Sequence, residues 1–511
     1  MSRFPLTPEQ IENATAEVLA WLRTRLLAPH AQLHVDSRAV CNGDVFISYT
    51  LDDTNSHLYI VDALQRGAAA VLVQAGQQTP INLPVLEIPE LKQLAGYIAS
   101  AWYGKPSCGM LVVGITGTNG KTTTNHWIAG ALSSSGIPCA IIGTLGTGLL
   151  GHLSYTGFTT PDAPQVHHSL SVLRSLGAHA VSMEVSSHAL HQERVNGVNF
   201  DIAVFTNLTQ DHLDYHKDLA SYESAKVRLF DWPSLRAAVI NRDDEVGRRL
   251  IKHVATRVRV ISYGISLPSR DSDASLYAIE IRAINTGTAF TVLSDWGRAE
   301  VEVSALGAFN VANLLSVLGV LLAADVPFDT AVSQLAQLEP VNGRMQKFGG
   351  RINMGEPLVI VDYAHTPDAL EKTLEALRQI STQRGGKLIC VFGCGGDRDA
   401  VKRPIMGAIA ERLADSVIVT SDNPRSEQPL SIIKQIVDAM REPKRARIIE
   451  YRASAILDAV RAAAADDVVL IAGKGHETTQ EVMGRKFPFS DQNHARLALE
   501  LCAIQAQTKS E

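Results

Sequence analysis

Residues 114 to 124 read GITGTNGKTTT and hold the parts of a phosphate-binding loop with one part moved. Such a loop needs backbone N–H groups that a glycine turn can aim at phosphate oxygens, a lysine for the β- and γ-phosphates, and a hydroxyl for Mg²⁺. Gly117, Thr118, Asn119 and Gly120 supply the backbone, Lys121 the charge and Thr122 the hydroxyl. Ile115 stands where the usual spacing has glycine, with Gly114 and Gly117 nearby. The plainer alternative, a glycine turn that merely opens a helix, does not account for Gly-Lys-Thr after the apolar run MLVVGI.

A loop of this kind needs an acidic partner for its metal, usually at a nearby strand end. Glu184, in AVSMEVSSH, is placed for that, and His212, in TNLTQDHLDYH, offers an imidazole after the next strand. Taken singly, a strand-end glutamate reads as solvated and a lone histidine as structural. Asn310 and Asn313 in GAFNVANLL start a helix and fit either capping or nucleotide contact. Arg344 is either a solvated linker charge or a residue that moves with the last domain. DNPRSE (422 to 427), GGDRD (Arg398) and GKGHE (Glu477) lie at neighbouring strand ends. Arginine forks pair with carboxylates and a glutamate takes an ammonium, so together they suit a zwitterion. Solvated loop charges are the alternative.

The elements that must position these residues alternate. Before residue 103 short strands and helices suggest a small α/β domain, and YGKPSCGM (103 to 110) reads as a linker. From there to about residue 343 strands and helices alternate, which predicts a parallel sheet covered on both faces. A less regular stretch, about 257 to 305, adds antiparallel strands. PVNGRMQKFGG (340 to 350) is a second linker, and beyond it LVIVDYAHTP, KLICVFGCGG, SVIVTSDNPR, RARIIEYR and VVLIAGKGHE are five strands separated by helices. That is a second, Rossmann-like doubly wound sheet, which binds ligands at the carboxyl ends of its strands. The expected division is 1–107, 108–343 and 344–511.

The chain has 511 residues, a net charge of -6, 46% apolar and 20% charged residues. This composition gives no footprint for nucleic acid. The start, MSRFPLTPEQ, has no apolar signal core, and the longest apolar run, LLSVLGVLLAADV, has 13 residues, short of the roughly 20 a membrane span needs. A cytoplasmic monomer without membrane insertion is expected. Six scattered cysteines read as reduced thiols, and Cys390 and Cys394 lack the second pair that a zinc site would need.

In order along the chain, GITGTNGKTTT, MEVSSHAL, TNLTQDHLDYH, SYESAKVRLF, GAFNVANLL, NGRMQ, VDYAHTPDAL, FGCGGDRD, SDNPRSE and AGKGHET resemble the motifs of the Mur ligases, ATP-dependent amide-forming enzymes of peptidoglycan precursor synthesis. The resemblance covers essentially the whole chain and is strongest to the branch that adds meso-diaminopimelate to UDP-N-acetylmuramoyl-L-alanyl-D-glutamate. It accounts for Ile115, because that family's loop has its glycines so placed. It implies catalytic roles for Lys121, Glu184, His212 and Lys226, Mg²⁺ ligation by Thr122, Glu184, His212 and Lys226, and carbamylation of Lys226, which read from its helix alone is a surface charge. It implies ATP contacts at Gly117, Thr118, Asn119, Gly120, Lys121, Thr122, Thr123, Asn310, Arg344 and Asp362. UDP-muramoyl-dipeptide contacts fall on Val35, Ser37, Thr159, Thr160, Ser186, Gln192 and Arg194. The amine donor falls to Arg398, Asp422, Asn423, Pro424, Arg425, Gly473 and Glu477. Two departures stand out: Phe158 precedes the Thr-Thr pair where relatives often have Asn, and residues 51 to 55 lack the Asp-Gly of the usual uridine loop.

The implied reaction is attack of a D-glutamate carboxylate on the γ-phosphate of ATP, then of the diaminopimelate amine on the acyl-phosphate. Rivals are a lysine-adding ligase or folylpolyglutamate synthase of the same fold, a P-loop ATPase coupled to motion, and a noncatalytic UDP-muramoyl binder.

Overall fold

A computed structural model describes residues 6–26, 31–49, 56–77, 84–265, 275–284 and 286–510, with side chains in the last helix to residue 503. Its strands form three larger sheets in chain order and one small hairpin.

The first sheet pairs Leu33–His34, Val45–Ser48, Ala70–Gln74 and Val85–Ile88 in sequential parallel order. Helix Leu91–Trp102 leaves this sheet and lies against the central region. A Cβ on Gly96 would meet the Asn196 carbonyl oxygen at 2.2 Å, so the two regions approach at glycine distance.

The second sheet has eleven strands. Strands Cys139–Gly143, Ala180–Glu184, Leu111–Thr116, Ile202–Phe205, Ala237–Asn241, Arg259–Gly264 and Leu276–Ile284 run parallel side by side. Runs such as AVSME and IAVF are buried throughout, as strands covered on both faces must be. Helices Lys121–Ser134 and Ala308–Ala323 cover one face, and Ala163–Ser175 and Glu245–Val254 the other. The stretch 257 to 305 is more regular than expected. It opens with a further parallel strand, and among the described residues Leu276–Ile284, Gly287–Ser294 and Gly297–Val303 pair antiparallel, as expected. The apolar run from Leu314 is the buried core of helix Ala308–Ala323. No helix among the described residues is long and apolar enough to cross a membrane.

The third sheet orders Gln346–Gly349, Leu358–Asp362, Val468–Ala472, Leu388–Phe392, Ser416–Val419 and Arg447–Ile448. All five expected strands are present and parallel. RARIIEYR contributes only a two-residue exposed edge. The antiparallel strand Gln346–Gly349 and the hairpin Thr479–Val482 with Arg485–Pro488 were not expected. Cys390 and Cys394 are buried free thiols, with burial pushing each pKa up to about 12.

Arg452 and Asp491, each 0% exposed, open two helices behind this sheet and pair bidentately at 2.7 Å. Arg452 also donates to the carbonyls of Ala472 at 2.8 Å and Ser421 at 3.4 Å, tying together the two strand ends that carry the DNPR and GKGHE turns. Arg452→Met leaves Asp491 buried without its cation. It should cost about 3–5 kcal/mol, seen in urea as early loss of the C-terminal sheet's amide-exchange protection, with the central sheet unaffected.

Candidate active site

The parallel strands of the central sheet end together, which brings Thr116, Glu184, Phe205 and Asn241 to one edge. The phosphate-type loop lies across that edge and opens into helix Lys121–Ser134. Gly120 is the N-cap in the left-handed region, φ 87°, and makes no side-chain cap. The first amides of the helix therefore face the cleft ready for an anion. A Cβ on Gly117 would fall 1.9 Å from Thr206 Oγ1, and one on Gly120 would fall 2.6 Å from Asn313 Oδ1, so both positions require glycine. Asn207, at the end of the neighbouring strand, holds the loop: its Oδ1 accepts from Asn119 N at 3.0 Å and its carbonyl from Thr118 N at 2.8 Å.

The cleft over this loop has a volume of about 620 Å³ and is lined by both the central and the C-terminal sheet regions. Thr118, Asn119, Gly120, Lys121, Thr122, Thr123, Asn310, Arg344 and Asp362 all face it. Gly117 lies behind the lining, where its carbonyl accepts from Lys121 Nζ at 2.8 Å and Lys226 Nζ at 2.7 Å. Burial lowers the pKa of Lys121, opposed by Glu184 and Asp211. Asn310 and Asn313 are not caps, because Gly307 takes that place. Asn310 Nδ2 turns back to the Leu306 carbonyl at 2.9 Å, and Asn313 Nδ2 donates to Asn310 Oδ1 at 3.2 Å.

Arg344 is no solvated linker charge. Its guanidinium lies 4.4 Å from the Tyr363 ring centroid, with Nη1 3.2 Å from His476 Nδ1 and Nη2 3.4 Å from Thr122 Oγ1. Burial lowers its pKa, against Tyr363 and Asp362. Asp362 accepts the amides of Met345 and Ala364, each at 2.8 Å, so it holds the junction backbone that carries Arg344.

Glu184 is 1% exposed. It accepts from Thr122 Oγ1 at 3.0 Å, Thr144 N at 2.8 Å and Thr144 Oγ1 at 3.1 Å. Among the described residues no cation lies within ion-pair distance of it, so a buried carboxylate stands beside a hydroxyl with room for positive charge. These hard oxygens suit Mg²⁺, which keeps water and phosphate ligands. No group of three or more His, Cys, Asp and Glu is set to hold a metal among the described residues. His212 sits at φ 54° beside Asp211, 3.4 Å away. Desolvation by the surrounding cleft takes its pKa down to about 4 despite Asp211, although the side chain itself is 44% exposed.

Lys226 corrects the reading from its helix: it is 1% exposed. Its ammonium position lies 4.5 Å from the Tyr222 ring centroid, and burial, reinforced by Lys121, drops its pKa well below the usual lysine value.

Thr159, Thr160, Ser186, Gln192 and Arg194 form one network beside Glu184. Thr159 bonds Thr144 at 3.0 Å; Thr160 Oγ1 donates to the Glu184 carbonyl at 2.8 Å; Arg194 reaches the Thr160 carbonyl at 2.9 Å and Gln192 Oε1 at 2.6 Å. Ser186 caps the helix Ser187–His191. Phe158 lies under the Arg194 guanidinium, 5.6 Å from its centroid. Val35 and Ser37 belong to the first sheet region and do not line the cleft. Residues 51 to 55 lie outside the described residues.

The second cluster stands at the carboxyl ends of the C-terminal sheet, joined to the cleft through Arg344 and His476. Asn423 Nδ2 donates to Glu477 Oε2 at 2.8 Å. Arg425, at φ 50°, donates to the Gly396 carbonyl at 2.6 Å. A Cβ on Gly395 would meet Arg425 Nη1 at 3.0 Å and Arg398 Cγ at 3.8 Å, so both arginines flank one glycine. Pro424 follows in the same turn, and a Cβ on Gly473 would lie 2.5 Å from Asp422 Oδ2. Sequence reasoning passed over Lys474, Asp211 and Asp368. All three sit inside quoted motifs, the first two next to residues that were singled out. Asp368 accepts from Asn119 Nδ2 at 2.9 Å, tying the C-terminal helix Pro367–Arg384 to the loop.

Residues 115–321 match the Mur ligase middle domain, and residues 343–475 match the Mur ligase glutamate ligase domain. The chain belongs to the Mur ligase family. As a Mur ligase it is an ATP-dependent enzyme that forms amide bonds, which sets aside a motion-coupled ATPase and a noncatalytic binder. It is 53% identical over 502 residues to the UDP-N-acetylmuramoyl-L-alanyl-D-glutamate--2,6-diaminopimelate ligase of Ralstonia nicotianae, covering 96% of this ligase and 97% of the relative. A solved structure of a UDP-N-acetylmuramoyl-L-alanyl-D-glutamate--2,6-diaminopimelate ligase superposes with a TM-score of 0.65 at 36% identity, covering 92% of this chain and 94% of that one. The MurF ligase of Thermotoga maritima, solved in complex with ADP, shares the fold at a TM-score of 0.64 and 17% identity, covering 94% and 99%.

Proposed function

We propose that this Mur ligase joins meso-diaminopimelate to UDP-N-acetylmuramoyl-L-alanyl-D-glutamate at the expense of ATP, giving the UDP-muramoyl-tripeptide, ADP and phosphate of peptidoglycan precursor synthesis. The observation that supports the reading is that Arg398 and Arg425 flank Gly395, and Asn423, two residues before Arg425, bonds Glu477, while Arg344 from the segment just before the same sheet reaches Thr122 of the phosphate loop. In this reading carboxylate and ammonium recognition stands next to phosphoryl transfer.

In this reading 1–107 holds the uridine end through Val35 and Ser37, 108–343 the nucleotide, and 344–511 the amine donor. The protein works in the cytoplasm as a monomer on small molecules, with no nucleic acid partner. Thr159, Thr160, Ser186, Gln192 and Arg194 orient the muramoyl-dipeptide so that the D-glutamate carboxylate faces the γ-phosphorus. Lys121 leaves its carbonyl partners for the β- and γ-phosphate oxygens, and loop amides from Thr118 to Thr122 hold the rest. Thr122, Glu184, His212 and a carbamylated Lys226 would hold Mg²⁺, which supplies charge neutralisation on the phosphate oxygens. The neutral Lys226 amine adds to CO₂, forming an N–C bond and losing a proton, and the product is an anion where Tyr222 and Gly117 now enclose an amine.

The carboxylate attacks the γ-phosphorus and the bond to ADP breaks. Glu477 and Asn423 hold the donor while its free amine attacks the acyl carbon, and phosphate leaves from the tetrahedral adduct. Arg344, anchored through Asp362, places its charge at the transferring group. Arg425 pairs with the donor's distant carboxylate, which lysine lacks, so lysine forgoes that charge-assisted pair.

Phosphate release measured with the UDP-dipeptide and either amine tests this. Meso-diaminopimelate should support turnover and lysine should not. Faster release with lysine would overturn the donor assignment.

A further inference from the structure

We propose that Lys474 is a positioning residue for the amine donor, fixing which oxygen of Glu477 meets the incoming ammonium. The inference rests on the donor site proposed above and deepens it.

Lys474 follows the strand Val468–Ala472, and its side chain is 0% exposed. An ammonium so buried is costly unless its hydrogens are taken. Two acceptors take two of its three hydrogens: Glu477 Oε2 at 2.6 Å and Asn423 Oδ1 at 3.0 Å. Asn423 Oδ1 accepts a second bond, from the Glu481 amide at 3.0 Å, while Asn423 Nδ2 donates to Glu477 Oε2 at 2.8 Å. Only one amide orientation satisfies this set, because a flipped Asn423 would aim its NH₂ at an ammonium and a backbone N–H.

The consequence falls on Glu477. Oε2 receives two donors, from Lys474 and Asn423, and among the described residues no group donates to Oε1. Glu477 is 29% exposed on its side chain, so the unpartnered oxygen is the one left for a ligand. Lys474 thereby fixes the rotamer of a part-exposed carboxylate that would otherwise sample several. It also bridges the DNPR and GKGHE turns on the ligand side, while Arg452 bridges the carbonyls of Ser421 and Ala472 from beneath. The donor's ammonium therefore meets a single oxygen at a fixed distance from Arg425, and that spacing selects the donor.

Steady-state kinetics of the full-length chain with ATP, the UDP-dipeptide and meso-diaminopimelate test this. Lys474→Met should raise KM for meso-diaminopimelate roughly tenfold to hundredfold, the scale of lost charge-assisted hydrogen bonds. KM for ATP and for the UDP-dipeptide should stay within about twofold. In a Glu477→Gln background the same substitution should add almost nothing, since Lys474 acts through Glu477. That double variant carries neither charge and keeps the test intact should Lys474→Met fold poorly. Equal shifts in all three KM values, no shift for the donor, or full additivity in the double variant would each overturn the proposal. Wild type whose turnover ignores meso-diaminopimelate would overturn the donor site itself and this inference with it. A responsive wild type matched by Lys474→Met would overturn the inference alone.

Discussion

Lys226→Ala is expected to lower kcat by about 10²–10³-fold, the scale of losing one preorganised electrostatic group at a charge-developing centre, with KM for the amine donor little changed. The residue is buried behind the phosphate loop and bonded to the Gly117 carbonyl, and burial with Lys121 favours its neutral amine. A neutral amine is the form that adds CO₂. Wild type in CO₂-depleted buffer should lose activity and recover it with bicarbonate, and short carboxylic acids should partly restore Lys226→Ala. Full activity in Lys226→Ala, or no response to bicarbonate, would remove the carbamate from the account. Stability moves the other way. The folded pKa lies below the unfolded value near 10.5, so between them the unfolded chain binds the extra proton and stability rises with pH. At neutral pH in CO₂-free buffer the buried amine is a liability, and Lys226→Met should have a higher Tm than wild type.

Arg425→Ala is expected to reduce kcat/KM for meso-diaminopimelate by roughly 10²–10³-fold, the cost of truncating one partner of a desolvated charge pair, with KM for ATP unchanged. Discrimination against lysine should collapse at the same time, because the guanidinium that rewards the distant carboxylate is gone. Arg425 is held at φ 50° by two backbone bonds to the hairpin: its N–H donates to the Glu481 carbonyl at 3.1 Å, and its carbonyl accepts from Met483 N at 2.6 Å. The guanidinium is therefore aimed by a backbone clamp, with Glu481 Oε2 3.7 Å from Nε. Retained preference for meso-diaminopimelate in the variant would move the specificity elsewhere.

Alternation of buried strands with helices was legible before any coordinates, and it placed Glu184 and the phosphate loop at one sheet edge. Other features depended on contacts far apart in the chain. The helix LASYESAKV reads as polar, and Lys226 is buried only because Gly117 crosses from 109 residues away. Asn310 reads as a cap until Gly307 is seen to hold that position. Lys474 has no local signal beyond its place in GKGHE, because its partners Asn423 and Glu477 meet only across two strand ends. The hairpin around Gly484, which clamps Arg425, was hidden in EVMGRKFPF. Its short alternation is weak evidence for strands without the turn it docks against.

Isotope transfer tests the central claim, that the loop activates a peptide carboxylate rather than water. UDP-N-acetylmuramoyl-L-Ala-D-Glu carrying ¹⁸O in its D-glutamate carboxylates, turned over once with ATP and meso-diaminopimelate, should release phosphate containing one ¹⁸O from the substrate. Phosphate without substrate ¹⁸O, its fourth oxygen drawn from water, would contradict the acyl-phosphate and return the site to simple hydrolysis.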